Sequence, residues 1–183
     1  MDLRPTLFLT VGLPGVGKTT RAKELASTHQ VLRLTPDEWM APLFGSSNAG
    51  GRRDILEGRM IWVAHEVLAS GSGVVLDFGC WSALERYAIR VIAEMAGADF
   101  TLEYVHTSEE ERRRRAATRW QVAPHTTFEM TDADHDHFLA SIELPGDDEL
   151  DNGPVPPPPP GHESWPDWAS ARWPTLPVLS AQG

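Results

Sequence analysis

Gly12-Leu13-Pro14-Gly15-Val16-Gly17-Lys18-Thr19 follows the apolar run Leu7-Phe8-Leu9-Thr10-Val11 and leads into a helix-like segment, Lys18 to Ser27. The octet fits G-x-x-x-x-G-K-[ST] in full, and a strand before it with a helix after it is the context that distinguishes a phosphate loop from a chance Gly-rich turn. The spacing has a physical reason. Glycines at 12, 15 and 17 let the backbone curl so that successive N–H groups converge on an anion. The helix opening at Gly17-Lys18 adds the positive end of its dipole. Lys18 is spaced to reach the β- and γ-phosphates, and the Thr19 hydroxyl to ligate Mg²⁺. Gly12, Pro14, Gly15, Val16, Gly17, Lys18, Thr19 and Thr20 are therefore the expected nucleotide-binding residues. The chain has 14 Arg and only two Lys, so a lysine at this position carries information.

Outward from the loop, strand-like and helix-like segments alternate. Val31 to Leu34 reads as a second strand, and Thr35-Pro36-Asp37-Glu38 as a helix start with Thr35 as N-cap, Pro36 at the first position and Glu38 closing a capping box. After the GSSNAGG loop at 45–51, apolar residues recur at near-helical spacing from Arg52 to Ser70. Gly73 to Asp77 is a third strand, Ser82 caps a helix to about Ala96, and Phe100 to Val105 is a fourth strand. Ser108 with Glu111 opens an Arg-rich helix, and Thr131 starts another that runs to about Ile142. This order predicts an α/β three-layer sandwich of the P-loop NTPase type. Its sheet is mostly parallel with helices on both faces, and a small Arg-bearing lid lies at about 108–130.

Composition changes near Pro145. The remainder carries most of the prolines, with Pro156 to Pro160 in one run, and Trp165, Trp168 and Trp173. Residues 1–144 are read as the P-loop domain. Residues 145–183 are read as a Pro/Trp-rich tail that either wraps the domain through its tryptophans or stays partly disordered. A fifth strand is not evident; Leu176 to Leu179 is the one late candidate.

Bulk properties narrow the class. At 183 residues there is room for one domain. No apolar run approaches the roughly 18–20 residues of a membrane span, and no export signal is visible at the N-terminus. Cys80 is the only cysteine, which excludes an intramolecular disulfide and a Cys-rich zinc site. A cytoplasmic location is expected. The net charge of −10 argues against nucleic acid as a general partner, although a local basic groove is compatible with it.

There is no Asn-Lys-x-Asp guanine-reading segment and no LSGGQ-like stretch, and the chain is too short for a helical AAA+ subdomain. Asp77-Phe78-Gly79 spells a protein-kinase motif without the His-Arg-Asp loop that should precede it. A compact nucleoside-kinase-like enzyme is left. Five segments carry a resemblance: GLPGVGKTT at 12–20, TPDEWM at 35–40, VVLDFGCW at 74–81, SEEERRRRAATR at 108–119 and FLASIELPGDDEL at 138–150. Over about Leu7 to Leu150 the chain resembles the zeta-toxin and chloramphenicol-phosphotransferase-like P-loop kinases of the AAA_33 group. The resemblance implies ATP and Mg²⁺ as cofactors and phosphoryl transfer to a hydroxyl, with Asp37 as the base taking the acceptor proton. It also aligns Arg115 and Arg119 with paired lid arginines of the family.

Other residues are read from their own positions. Asp77 ends a buried strand, where a carboxylate is costly without a ligand or an Arg partner, so with Thr19 it is the metal candidate. Glu109–Arg113, Glu110–Arg114 and Glu111–Arg115 stand at i,i+4, the spacing of a solvated ion-paired face. Arg52, Arg53 and Arg59 follow the loop where related kinases bind the acceptor. His135 and His137 stand at i,i+2 and share no helix face, so a polar surface is expected there rather than a metal site. Three functions remain open: a small-molecule kinase with a hydroxylated metabolite or antibiotic as acceptor, a polynucleotide 5′-hydroxyl kinase-like enzyme, and a non-kinase ATP-binding switch.

Overall fold

The computed structural model describes residues 4–45, 50–122 and 129–179; part of the GSSNAGG loop and part of the expected lid therefore lie outside the described residues. Strands β1 (Thr6–Val11), β2 (Leu32–Leu34), β3 (Val74–Leu76) and β4 (Asp99–Tyr104) form a parallel sheet in the order β2-β3-β1-β4. The helices are α1 (Lys18–His29), α2 (Pro36–Phe44), α3 (Arg52–Ala69), α4 (Ala83–Met95), α5 (Glu109–Val122), α6 (Asp132–Ser141), α7 (Asp147–Leu150) and α8 (Trp165–Arg172).

The two-residue period of β1 sorts its side chains between layers. Leu7, Leu9 and Val11 join the large core formed with α3, α4 and α8, whereas Phe8 packs with Ala22 and Leu25 of α1 and with Val75 on the opposite face. A strand covered on both sides needs a near-continuous apolar run, and Leu7 to Val11 supplies one apart from the buried Thr10, whose hydroxyl is satisfied by Asp77. The three-layer parallel sandwich expected from the sequence is the observed fold.

Two local expectations fail. Thr35 makes no side-chain capping bond; Glu38 is taken instead by Arg33, whose charge-assisted hydrogen bonds outcompete a neutral cap. In α5, Arg114 pairs with Glu111, at 2.7 Å, rather than Glu110. The capping boxes of Ser82 with Glu85 and of Thr131 with Asp134 are complete.

The tail crosses back over the domain. Trp165, Trp173 and Leu176 are buried in the large core, and α8 packs against α4. The Arg86 guanidinium donates to both Glu149 oxygens at 2.7 Å from within the core and reaches the Cys80 and Glu143 carbonyls. Leu176 to Leu179 is not a strand. Pro174 just before it and Pro177 within it withhold ladder donors, and Leu176 serves as a core plug.

At Gly12 the chain passes so close to β4 that an added Cβ would lie 2.2 Å from the Val105 carbonyl oxygen, at a φ of +152°. Val105 is itself fixed, its N–H bonded to Val11 O at 2.8 Å. Gly12→Ala is expected to cost about 3 kcal/mol, seen as a lower urea midpoint at unchanged slope.

Candidate active site

A cavity of about 520 Å³ opens at the carboxyl ends of the strands, where open parallel sheets bind ligands. Pro14, Gly15, Gly17, Lys18, Thr19 and Thr20 line it from the phosphate loop, Asp37 from α2, Arg53 from α3, and Asp77, Phe78, Gly79 and Trp81 from the segment after β3. Arg115, Ala116 and Arg119 close it from α5, with Met130 and Phe138 beyond. Two residues expected in the nucleotide cradle do not line this space. Gly12 supports the loop from beneath, and Val16 turns its side chain into a cluster with Leu13 and Ile142. The Val16 carbonyl accepts from Arg115 Nη1 at 3.2 Å.

Gly17 caps α1 with φ +106°, a conformation natural to glycine, and from it the helix N-terminus faces the cavity. Lys18 Nζ donates to the Leu13 carbonyl at 3.0 Å. Burial is the main influence on this ammonium and brings its pKa down to about 8, against the raising pull of Asp77 and Asp37. A triphosphate favours the charged form. Near pH 8 a sizeable fraction of free Lys18 is neutral, so ATP binding at pH 8–9 is expected to take up protons. Calorimetry in buffers of different ionisation enthalpy should show about half a proton absorbed per ATP near pH 8 and less at pH 6.5.

Asp77 is buried with both oxygens engaged: Thr10 Oγ1 donates to Oδ1 at 3.3 Å and Arg33 Nη1 to Oδ2 at 3.0 Å. Arg33 answers the desolvation cost of a carboxylate at a strand end, and the same guanidinium bonds Glu38 of α2. With the Thr19 hydroxyl on the same cavity wall, the donors are one carboxylate and one hydroxyl. These hard oxygens suit Mg²⁺, which keeps several waters and draws further ligands from phosphates. Among the described residues no three His, Cys, Asp or Glu side chains cluster as a metal cage.

Asp37 stands in the first turn of α2, its side chain 72% exposed, and its Oδ1 accepts from Arg53 Nη1 at 2.7 Å. Arg52 and Arg59 are not on the cavity wall; their guanidinium carbons stack 5.5 Å from the Phe44 ring and 5.3 Å from the Trp62 ring. On α5, Arg115 and Arg119 both line the cavity, and Arg115 is also bonded to Glu111 at 2.6 Å.

Several residues escaped the sequence reading. Arg112 is almost wholly buried, bonding Glu109, the Pro14 carbonyl at 3.3 Å and the His135 carbonyl at 3.4 Å. It docks α5 on the phosphate loop, although four consecutive arginines read as a solvated face. Arg113 bonds Asp132 and Asp136, each at 2.6 Å, which fastens α5 to α6. His135 is buried, not part of a polar surface as expected, because α6 packs that side toward Arg112. Trp81 and Phe138 meet edge to face with centroids 5.4 Å apart and give the cavity an aromatic wall. Cys80 is buried, and burial pushes its thiol well above the usual range, as for an inert core residue.

The family model AAA_33, described as an AAA domain, matches residues 7–145. No curated protein matches the sequence. Among solved structures, a gluconokinase from Sinorhizobium meliloti 1021 superimposes with TM-score 0.57 at 18% identity, covering 80% of this chain and 80% of that one. The APS kinase CysC of Mycobacterium tuberculosis, in complex with AMPPNP and APS, gives 0.57 at 19% identity over 78% and 84%. A chain of the Pnkp1/Rnl/Hen1 RNA repair complex gives 0.63 at 19% identity over 75% of this chain and 43% of that one. These three likenesses are of fold.

Proposed function

The chain belongs to the AAA_33 family and has the fold of the P-loop kinases, and from that premise we propose that it transfers the γ-phosphoryl group of ATP to a hydroxyl of a small molecule. One observation carries the reading: a single cavity brings together the phosphate loop with Lys18, an accessible carboxylate at Asp37, and the α5 arginines Arg115 and Arg119. Phosphoryl transfer needs little covalent chemistry from a protein beyond positioning and charge stabilisation, and these groups supply both.

The loop amides and Lys18 hold the phosphates. The acceptor hydroxyl lies against Asp37, which takes its proton as oxygen attacks in line. Arg115 and Arg119 offset negative charge on the transferred group. Thr19 and Asp77 would hold Mg²⁺, which would supply positive charge to offset that of the phosphates. Trp81, Phe78, Met130 and Phe138 wall part of the cavity with apolar surface, which suits a compact acceptor that leaves water on binding. The net charge of −10 works against the broad electrostatic attraction on which polynucleotide binding relies. The lone buried Cys80 fits a reducing, cytoplasmic setting.

The test is acceptor discovery. The protein is incubated with Mg²⁺, ATP and pooled hydroxylated metabolites, antibiotics and short oligonucleotides, and products are searched by mass spectrometry for a phosphoryl gain. Gain on one small molecule, absent without ATP, is the expected result. Gain on oligonucleotide 5′ ends alone would move the assignment to polynucleotide kinase-like activity. ATP held tightly and unhydrolysed with no product would identify a nucleotide switch.

A further inference from the structure

The C-terminal segment, which lies beyond the family match at residue 145, is wired to the cavity. Trp173, fully buried at the end of α8, donates its Nε1–H to Glu57 Oε2 at 3.1 Å. The other Glu57 oxygen accepts from Arg53 Nε at 2.8 Å, and Arg53 Nη1 donates to Asp37 Oδ1 at 2.7 Å. Three hydrogen bonds thus run from the tail, through α3, to the first turn of α2. Trp173 and Glu57 do not line the cavity, whereas Arg53 and Asp37 do.

The tail end of this chain is held firmly. Arg172 bonds Asp54 at 3.0 Å and Glu85 at 2.8 Å, and Thr175 Oγ1 bonds the Ile55 carbonyl. At Gly58 a Cβ would lie 2.5 Å from Thr175 Oγ1 and 2.9 Å from Leu176 N, so only glycine admits this approach. Apart from Glu85, which belongs to α4, these contacts gather on α3 between residues 54 and 58, the turn that carries Glu57 and follows Arg53.

An exposed ion pair such as Arg53–Asp37 contributes little by itself, because ordering two free side chains offsets the attraction. Arg carries about 2 kcal/mol of rotamer entropy. Glu57 removes much of that freedom in advance by holding Nε, and leaves Nη1 aimed at Asp37. Glu57 in turn is a carboxylate at 7% exposure. Burial pushes its pKa up, against the pull of Arg53 and the Trp173 N–H. The tail therefore supplies one of the two partners that keep this buried carboxylate in place.

We infer that the C-terminal segment is a working part of the site, with Trp173 and Glu57 as positioning residues that fix Arg53 and through it the Asp37 carboxylate. The consequence for turnover rests on the reading of Asp37 as the base; the positioning itself does not.

The experiment uses the full chain with Trp173→Phe, Glu57→Gln and the double variant. Two kinds of measurement are made: the Arg53 Nε–H resonance and Asp37 carboxyl ¹³C shift, and kcat and KM for ATP with the acceptor that the mass-spectrometric search identifies. Both single variants should move the Arg53 and Asp37 signals and lower kcat about tenfold, with KM for ATP within about twofold. The double variant should be no worse than the worse single one, because both act on one path. Unmoved Arg53 and Asp37 signals in a folded variant would overturn the inference, as would kcat losses that multiply. Should Trp173→Phe fail to fold, Glu57→Gln keeps the side-chain volume and carries the test. Signals that move in a protein with no transferase activity would uphold the positioning path and sink the kinase reading.

Discussion

Lys18→Ala is expected to abolish phosphoryl transfer, by about 10³-fold or more in kcat/KM, because no other side chain of the phosphate loop offers positive charge to the β- and γ-phosphates. The same site should show the stability cost of that function. Burial depresses the Lys18 pKa to about 8 from 10.5. Between these two values the unfolded chain binds more protons than the folded one, so stability rises as pH rises through that window and is lowest below it. The penalty at neutral pH is on the order of 3 kcal/mol. Lys18→Met, which keeps the stem and removes the charge, should therefore unfold at a higher temperature than the native protein at pH 7. It should also lose the native protein's gain in stability between pH 8 and 10. Thermal melts across pH 6.5–10.5, without nucleotide, provide the check. An equal pH slope in the two proteins would mean that Lys18 is solvated in the free state.

Asp37→Asn carries the second large effect. A positioned general base typically contributes 10²–10⁴-fold, and kcat should fall within about that range while ATP affinity stays within a few fold. Asn keeps the oxygen that accepts from Arg53 Nη1, so the Arg53 contact and the start of α2 should survive. The measurement is kcat and KM on the identified acceptor, beside ATP binding by calorimetry. Full activity in Asp37→Asn would remove Asp37 as the base and leave proton transfer to another group or to water.

Much of the candidate site was legible because it is local. The phosphate loop needs eight consecutive residues, a strand before it and a helix after it, and each condition can be checked within twenty positions. Asp37 and Asp77 follow the same logic, since a parallel sheet places the residues just after its strands on one edge. The α5 arginines were visible as a cluster, but their division of labour was not. Arg112 goes into the interior, Arg113 to α6, and Arg115 and Arg119 to the cavity. Sequence spacing gives the angle of a side chain around its helix, not what that angle faces. The aromatic wall went unseen for a related reason. Trp81 and Phe138 are 57 positions apart and meet only because α6 folds back over the loop after β3.

The tail marks the limit most clearly. Its prolines correctly exclude it from the sheet, since a residue without an N–H cannot join a ladder. Composition alone left open whether it wraps the domain. The structure decides this through Trp173, whose ring fills the core and whose N–H reaches a carboxylate 116 positions away. The parallel α/β sandwich and the phosphate loop could be read from the residues alone, because they arise from periodicity and short-range backbone geometry that each segment carries within it. Which arginines reach the cavity, what wall stands opposite the phosphate loop and how Trp173 connects to Asp37 emerge from the packed fold. Each of those depends on side chains far apart in the chain sharing one volume and satisfying one another's buried charge.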